Sequence, residues 1–176
     1  MKTWVALLRG INVGGKHIVP MKELVRLMEA DGFANVKTYI QSGNVVFQSA
    51  DNSGDRIGEL IAREFGFKPD IFILSGADLK AAMANNPYET DTGKNVHFFF
   101  CDREEPPIDI EFLESLRAPS EAYTLTGNVF YLHAPEGIGR SKMVEKLGRA
   151  FPKDVSMTAR NLNTMNKLLE MIEANR

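Results

Sequence analysis

The chain has 176 residues, of which 44% are hydrophobic and 25% charged, a composition typical of one large globular domain or two small ones. Its 21 basic and 23 acidic residues give a net charge of −2, which offers no overall support for nucleic-acid binding driven by counterion release. A single cysteine excludes an internal disulfide framework and a cluster of thiolate metal ligands, and it favours a reducing compartment.

The beginning of the chain predicts neither export nor membrane insertion. The apolar run from Trp4 to Leu8 is followed at once by Arg9, so it is too short for a signal peptide or a membrane span. We therefore expect a cytoplasmic protein.

The first half predicts strands and helices in alternation. Residues 4–8 form an apolar strand, and a helix follows with Pro20 at its first position and Gly32 as its left-handed cap. A second helix ends at Gly66, a strand covers residues 71–74, and a capping box at residues 75–78 starts a third helix. The residues expected to face the core of these helices are Met21, Leu24, Val25, Met28, Ile57, Leu60, Ile61, Phe65, Leu79 and Met83.

The second half repeats this order. It predicts a strand at residues 96–101, a helix around residues 112–116, a helix at residues 141–150, a weak strand at residues 155–157 and a final helix. The final helix carries an apolar stripe made of Leu162, Met165, Leu168, Leu169 and Ile172.

A hairpin occupies the same place in both halves. The pairs Gly43-Asn44 and Gly127-Asn128 stand between strand-like runs, and glycine followed by asparagine suits the two central positions of a type II′ turn. Because similar phrases recur at about half the chain length, we interpret the chain as an internal duplication.

The predicted elements of each half therefore follow the order β-α-β-β-α-β plus a helix. This order predicts an α+β protein of two ferredoxin-like halves. The halves are residues 1–85 and 95–176, and residues 86–94 are the connector. We expect strands one and three to lie side by side and parallel, with strand four leaving the sheet at the end opposite to both. Apolar residues at consecutive strand positions predict that both sheet faces are covered.

Four groups of residues together resemble the bacterial domain of unknown function 1697. They are residues 7–15, residues 42–45, residues 128–132 with Gly137, Gly139, Ser141 and Lys142, and finally Thr158, Arg160, Asn161, Asn163 and Thr164. The resemblance extends to Leu168. It implies a small bacterial cytoplasmic protein of two ferredoxin-like halves, and it implies no activity.

The first glycine-rich loop, residues 10–17, nearly fits a phosphate loop. His17 stands where the hydroxyl ligand of Mg²⁺ belongs, and Val19-Pro20 keeps the chain extended where a helix should begin. We therefore expect no nucleotide-hydrolysing loop. The alternatives are an anion-binding loop that uses Asn12, Lys16 and backbone N–H groups, or a surface loop that needs its glycines for turns.

The second glycine-rich loop, residues 135–142, leads directly into a helix that Ser141 can cap. Arg140 and Lys142 place cations at the positive end of the helix dipole, a cost that a bound anion would offset. Alternatively, both side chains extend into water, where screening removes the cost.

Residues 158–164 open the final helix, and Asn161 is best explained as its N-cap. With strand four leaving at the opposite end, Arg160 can join the glycine-rich loops only if the two halves are rotated. Arg160 and Asn163 are not explained by capping, and we include both among the candidates.

No catalytic residue is assigned, and whether the chain is an enzyme stays open. His17, His97 and His133 have no metal-ligand spacing, His97 is best read as a packed strand residue, and Cys101 as a small buried hydrophobe. We expect no metal and no cofactor.

We hypothesise that a small phosphate- or carboxylate-bearing ligand binds in a groove between the halves. The residues expected to bind it are Arg9, Asn12, Gly14, Gly15, Lys16, Gly137, Gly139, Arg140, Ser141, Lys142, Arg160, Asn161 and Asn163. One alternative is a single-stranded nucleic-acid binder with Tyr39, Phe47, Tyr123 and Tyr131 as a stacking platform, which the net charge disfavours. Another is a self-associating structural module; the sequence indicates no oligomeric state and no membrane partner.

Overall fold

A computed structural model describes residues 1–89 and 91–175, and Thr90 in the expected connector and Arg176 at the chain end lie outside the described residues. The chain folds into two compact units. The first unit is Met1–Ala81 together with the residues from Asn166 onward, and the second unit is Ala82–Met165.

Sheet 1 belongs to the first unit and has four strands in the spatial order β2-β3-β1-β4. The strands are β1 (Lys2–Leu8), β2 (Ala34–Tyr39), β3 (Asn44–Ser49) and β4 (Ile71–Ser75). The helices that accompany them in the chain are α1 (Met21–Ala30), α2 (Gly54–Phe65) and α3 (Gly76–Ala84).

Sheet 2 belongs to the second unit and has the equivalent order β6-β7-β5-β8. Its strands are β5 (Val96–Cys101), β6 (Ala122–Thr126), β7 (Val129–His133) and β8 (Met157–Asn161). The helices of this half of the chain are α4 (Ile110–Leu116), α5 (Lys142–Glu145) and α6 (Leu162–Ala174). Short 3₁₀ turns occur at Gly93–Asn95, Ile138–Arg140 and Leu147–Ala150.

All neighbouring strands in both sheets are antiparallel. Strands one and three of each half do lie side by side, as expected, but the expectation that they run parallel is wrong. In a β-α-β-β order the helix returns the chain so that the second strand runs like the first, and the hairpin then reverses the direction for the third. The mixed α+β class with two four-stranded sheets is confirmed.

The strands at the middle of each sheet are buried on both faces, as their continuous apolar runs predict. Val5, Ala6 and Leu7 are 0% exposed, and all six residues of β5 are buried. A strand with alternate exposure would instead have polar residues at every second position.

The apolar faces of α1 and α2 pack on one face of sheet 1. The core there consists of Ala6, Leu8, Ile11, Val19, Met21, Leu24, Met28, Phe33, Val36, Val45, Phe47, Ile57, Leu60 and Ile61, with Val25 and Phe65 partly buried against it. The predicted helix faces are therefore confirmed. The helix ends agree as well, because Gly66 caps α2 with a φ of 81°.

A comparable core lies on one face of sheet 2. It consists of Phe99, Cys101, Leu113, Phe130, Leu132, Ala134, Met143, Leu147, Ala150 and Phe151. Its aromatic rings meet edge to face, with the Phe99 and Phe130 centroids 5.9 Å apart.

The capping box predicted at the start of α3 is confirmed by both of its hydrogen bonds. The Ser75 backbone N–H donates to Asp78 Oδ2 at 2.9 Å, and the Asp78 N–H donates to Ser75 Oγ at 3.0 Å. The two residues thus satisfy each other's free donors at the helix end.

The two Gly-Asn hairpins differ. In the second, Thr126 pairs with Val129, so Gly127 and Asn128 are the two loop residues. Gly127 has a φ of 61° and Asn128 no positive φ, as a type II′ turn requires. In the first, Tyr39 already pairs with Asn44, so the loop has four residues, 40–43, and the predicted type II′ turn is wrong.

Two predicted boundaries in the second half are also wrong. The helix expected at residues 141–150 is α5, which has four residues, followed by the separate turn Leu147–Ala150, because Gly148 weakens a continuous helix. The strand expected at residues 155–157 is β8, at Met157–Asn161, since a turn from Pro152 to Val155 delays its start.

Candidate functional site

The first glycine-rich loop forms a small projecting turn at the end of β1. The Lys16 N–H donates to the Val13 carbonyl at 3.1 Å, and Gly14 and Gly15 both have positive φ, as a type I′ turn requires. The helix that follows begins only at Met21. As expected, the loop lacks the direct entry into a helix that a phosphate loop needs.

Two candidate residues, Asn12 within this loop and Arg9 just before it, are engaged in structural contacts. The Asn12 side chain donates to the carbonyls of Val19 and Gln41 at 2.9 and 2.8 Å and accepts from the Val19 N–H at 2.7 Å. Arg9 forms an exposed ion pair with Asp70 at 3.4 Å. The Asn12 amide therefore holds the loop in shape.

The second glycine-rich loop connects β7 to α5. Ser141 caps α5, as predicted, by accepting from the Val144 N–H at 3.1 Å. Arg140 and Lys142 are exposed, and neither side chain forms an ion pair or hydrogen bond with residues 1–89 or 91–175. Because α5 has only four residues, its dipole contributes less than the sequence predicts.

Arg160 lies within β8 and is 8% exposed. Its guanidinium donates to Thr158 Oγ1 at 2.9 Å and to the Ala159 carbonyl at 2.8 Å. Burial lowers the pKa of Arg160 to about 10, so the side chain stays a cation at neutral pH.

The two candidate asparagines differ in role. Asn161 Oδ1 accepts from the Thr164 N–H at 2.9 Å, which confirms the predicted N-cap of α6. Asn163 is exposed and lies against Gly93, where a Cβ would collide with its side-chain oxygen.

The C-terminal ends of β7 and β8 lie at the same end of sheet 2. Val96 pairs with His133, and His97 pairs with Asn161, so both strands end where β5 begins. The expectation that strand four leaves at the end opposite to strand three is therefore wrong, because the two strands flank β5 and both run against it.

The turn Gly93–Asn95 connects these strand ends. Asn95 Nδ2 donates to the Pro135 carbonyl at 3.1 Å, and the Ala134 N–H donates to the Asn95 carbonyl at 2.9 Å. We call residues 93–95, 135–142 and 161–163 the sheet-end cluster. The cluster contains all the candidate residues of the second unit except Arg160. Arg160 directly precedes Asn161, the first residue of the third segment of the cluster.

His97 is a residue of this region that the sequence analysis did not include among the candidates. It is 7% exposed, one ring nitrogen donates to the Lys94 carbonyl, and Nε2 has no hydrogen-bond partner among the described residues. Burial lowers the pKa of His97, so the ring is neutral at pH 7. No spacing in the sequence signals this, because its environment depends on strands far apart in the chain.

A shallow recess of about 500 Å³ lies beside the cluster. Asn86, Tyr88, Glu89, Asp91 and Leu162 line it. The Tyr88 hydroxyl lies 2.8 Å from Thr124 Oγ1, and its ring stacks on His133 with centroids 5.8 Å apart. The recess is therefore partly walled by a fixed aromatic ring.

Two of the four rings expected to form the platform of the nucleic-acid alternative are not accessible, whereas Tyr39 and Tyr123 are partly exposed. Phe47 and Tyr131 are both 0% exposed, and the Tyr131 hydroxyl donates to the Ala82 carbonyl at 2.6 Å. Bases cannot stack on buried rings. Cys101, 2% exposed, is the buried small side chain that the sequence predicts.

Neither a metal-ion site nor a membrane-spanning helix occurs within residues 1–89 and 91–175. No group of three histidine, cysteine or acidic side chains there is arranged to hold a metal ion. A membrane span would need a longer and more apolar helix than any that this part of the chain forms.

Comparison with known proteins gives a family and a solved structure whose descriptions name no activity. The solved structure of a conserved bacterial protein from Streptococcus pneumoniae is similar, with a TM-score of 0.71 and 28% sequence identity over 97% of this chain and 98% of that one. No curated protein matches the chain. A family model described as protein of unknown function (DUF1697) matches residues 1–131. The chain therefore belongs to the DUF1697 family of proteins of unknown function.

Proposed function

We propose that the protein binds a small phosphate- or carboxylate-bearing ligand at the sheet-end cluster of its second unit. The observation that carries the proposal is the state of Arg140 and Lys142, which extend from this cluster without a carboxylate partner among the described residues. Two cations that no protein group neutralises attract an anion from solution.

The loop that carries these cations is held at both ends. Asn95 binds the Pro135 carbonyl at the start of the loop, and Ser141 binds the Val144 N–H at its end. A loop fixed in this way loses little conformational freedom when a ligand binds, so more of the interaction energy is available for affinity. Gly137, with a φ of 89°, gives the turn between the two fixed points.

Other groups at the cluster add polar contacts. The exposed amide of Asn163 stands at the start of α6, and α6, with 13 residues, is long enough for its amino end to favour negative charge. Arg9 and Asn12 of the first unit are outside the proposal, since they are already engaged with Asp70 and with the loop backbone.

The experiment is calorimetric titration with inorganic phosphate, sugar phosphates, nucleotides and dicarboxylates. We expect at least one of these ligands to bind, and the double variant Arg140→Ala with Lys142→Ala to abolish binding. The matched control is Arg149→Ala with Lys153→Ala, which removes the same charge from exposed positions of the same unit and should bind normally. Absence of heat with every ligand would refute the proposal, as would equal losses in the two double variants.

We further propose that the two halves of the chain derive from an internal duplication of a ferredoxin-like half. The matching strand orders of the two sheets and the recurrence of Gly-Asn after a strand support this. The halves would be residues 1–85 and 95–176, joined by residues 86–94. Limited proteolysis that cuts first within residues 86–94 would support these boundaries, and stable fragments with other ends would contradict them.

A further inference from the structure

The protonation state of His97 follows from its surroundings. The imidazole is buried and donates one N–H to the Lys94 carbonyl, and its Nε2 has no partner in the part of the chain that the structure describes. A neutral imidazole has one N–H and one acceptor lone pair, so Nδ1 is the donor and Nε2 carries the lone pair. The protein therefore holds His97 as a neutral ring with one buried nitrogen unsatisfied.

The side chain opposite His97 caps a helix. His97 and Asn161 are paired in the register between β5 and β8, and opposite residues of antiparallel strands place their side chains on the same face. Asn161 Oδ1 accepts from the Thr164 N–H at the start of α6. A hydrogen-bond acceptor that holds a helix end thus lies on the strand next to the unsatisfied ring.

Within residues 1–89 and 91–175, no neighbouring charge assists His97 in either protonation state. Lys94, in the preceding turn, is exposed and contributes its carbonyl alone. Arg160 on β8 and His133 on β7 each stand one position away from the partner of His97, so their side chains point to the opposite face of sheet 2. Burial is the main cause of the lowered pKa, and no carboxylate in the described part of the chain opposes it.

We propose that His97 is a proton-operated switch for the amino end of α6: when it binds a proton from solvent, its new Nε2–H takes the Asn161 side-chain oxygen away from the Thr164 N–H. The imidazolium then has two donors and needs a second acceptor in a site that excludes water. When the Asn161 oxygen changes partner, α6 loses its N-cap hydrogen bond, and the first turn of the helix frays. Because Asn161 belongs to the sheet-end cluster, acid loosens one of its three segments, whether or not a ligand binds there.

The test is an NMR pH titration of the whole protein from about pH 8 to about pH 4.5. We expect the His97 ring to titrate below the ordinary histidine pKa. The protection of the Thr164 amide against hydrogen exchange should fall roughly fivefold with the same midpoint, the change expected for loss of one N-cap hydrogen bond. The Val144 amide, held by the non-titrating Ser141, is the internal control and should keep its protection.

Two variants complete the experiment. In His97→Phe the Thr164 protection should not depend on pH, and His133→Asn should behave like the wild type. If His97→Phe does not fold, the wild-type titration decides the matter, because it compares two signals in one sample. Constant Thr164 protection through the His97 titration would overturn the inference, and so would an unchanged pH dependence in His97→Phe.

Discussion

The Leu8 backbone N–H donates to the Gly43 carbonyl at 2.8 Å, and a Cβ on Gly43 would lie 2.8 Å from the Leu8 Cβ and 2.9 Å from its carbonyl oxygen. Gly43 also has a φ of +88°, which side chains disfavour. The close approach of the first hairpin to the end of β1 therefore requires glycine at this position.

Replacing Gly43 with alanine should lower the free energy of unfolding by about 2 to 4 kcal/mol, through the positive φ and the collision with the Leu8 backbone. Urea denaturation measures the loss. The control is Gly66→Ala, where φ is +81° and, apart from the chain neighbours, no heavy atom of the described residues lies within 4 Å of the new Cβ. This variant should cost about 1 kcal/mol. Equal losses in both variants would show that the contact with Leu8 is not the cause.

Replacement of Asn161 and replacement of Asn163, both at the start of α6, should have different effects on the free energy of unfolding. Asn161→Ala removes the N-cap hydrogen bond to Thr164 and should lower the free energy of unfolding by about 1 kcal/mol. Asn163→Ala changes an exposed side chain that caps nothing, and thermal unfolding should show almost no loss. A larger loss for Asn163→Ala would contradict the assignment of the cap.

The stability of the protein should fall on acidification through the histidine range. Because burial lowers the pKa of His97, the unfolded chain takes up a proton more readily than the folded one. The resulting stability is complete above the unfolded pKa of about 6.5 and is lost as the pH falls towards the lower folded value.

Urea midpoints at about pH 7.5 and about pH 5.5 measure this effect. Wild-type protein should lose more stability between them than His97→Phe, which cannot take up the proton. Parallel behaviour of the two proteins would mean that His97 titrates alike in the folded and unfolded chain.

The thiol of Cys101 should be inert in the folded protein. Burial, with a smaller contribution from the charge of Asp102, raises the pKa of Cys101 to about 11, so the reactive thiolate is scarce at pH 8. We expect an aromatic disulfide reagent to give no colour with native protein over minutes and a full equivalent of thiol in denaturant. Rapid reaction of the native protein with the reagent would show that the end of β5, where Cys101 lies, opens to solvent.

Features that depend on neighbouring residues were predictable. The reciprocal bonds of Ser75 and Asp78, the cap of α6 by Asn161 and the Gly127-Asn128 turn each involve residues within a few positions of one another. The same holds for the apolar faces of α1 and α2, since helix geometry alone places residues three and four apart on one side.

The first hairpin shows where local reasoning stops. Its Gly-Asn pair is the same as that of the second hairpin, yet Asn44 pairs with Tyr39 inside the ladder and Gly43 lies against Leu8. The contact with β1, which lies far away in the chain, favours the register with a four-residue loop over the register with a two-residue turn.

The sequence by itself determined the order of the elements, most of their ends and the exclusion of a disulfide-stabilised protein, because composition and short-range geometry suffice for these. Only the tertiary structure decided that neighbouring strands are antiparallel, that β7 and β8 end together, and that His97 faces the residue that caps α6. These relationships join residues dozens of positions apart, and their free energy comes from burial and pairing that exist only once the sheet has formed.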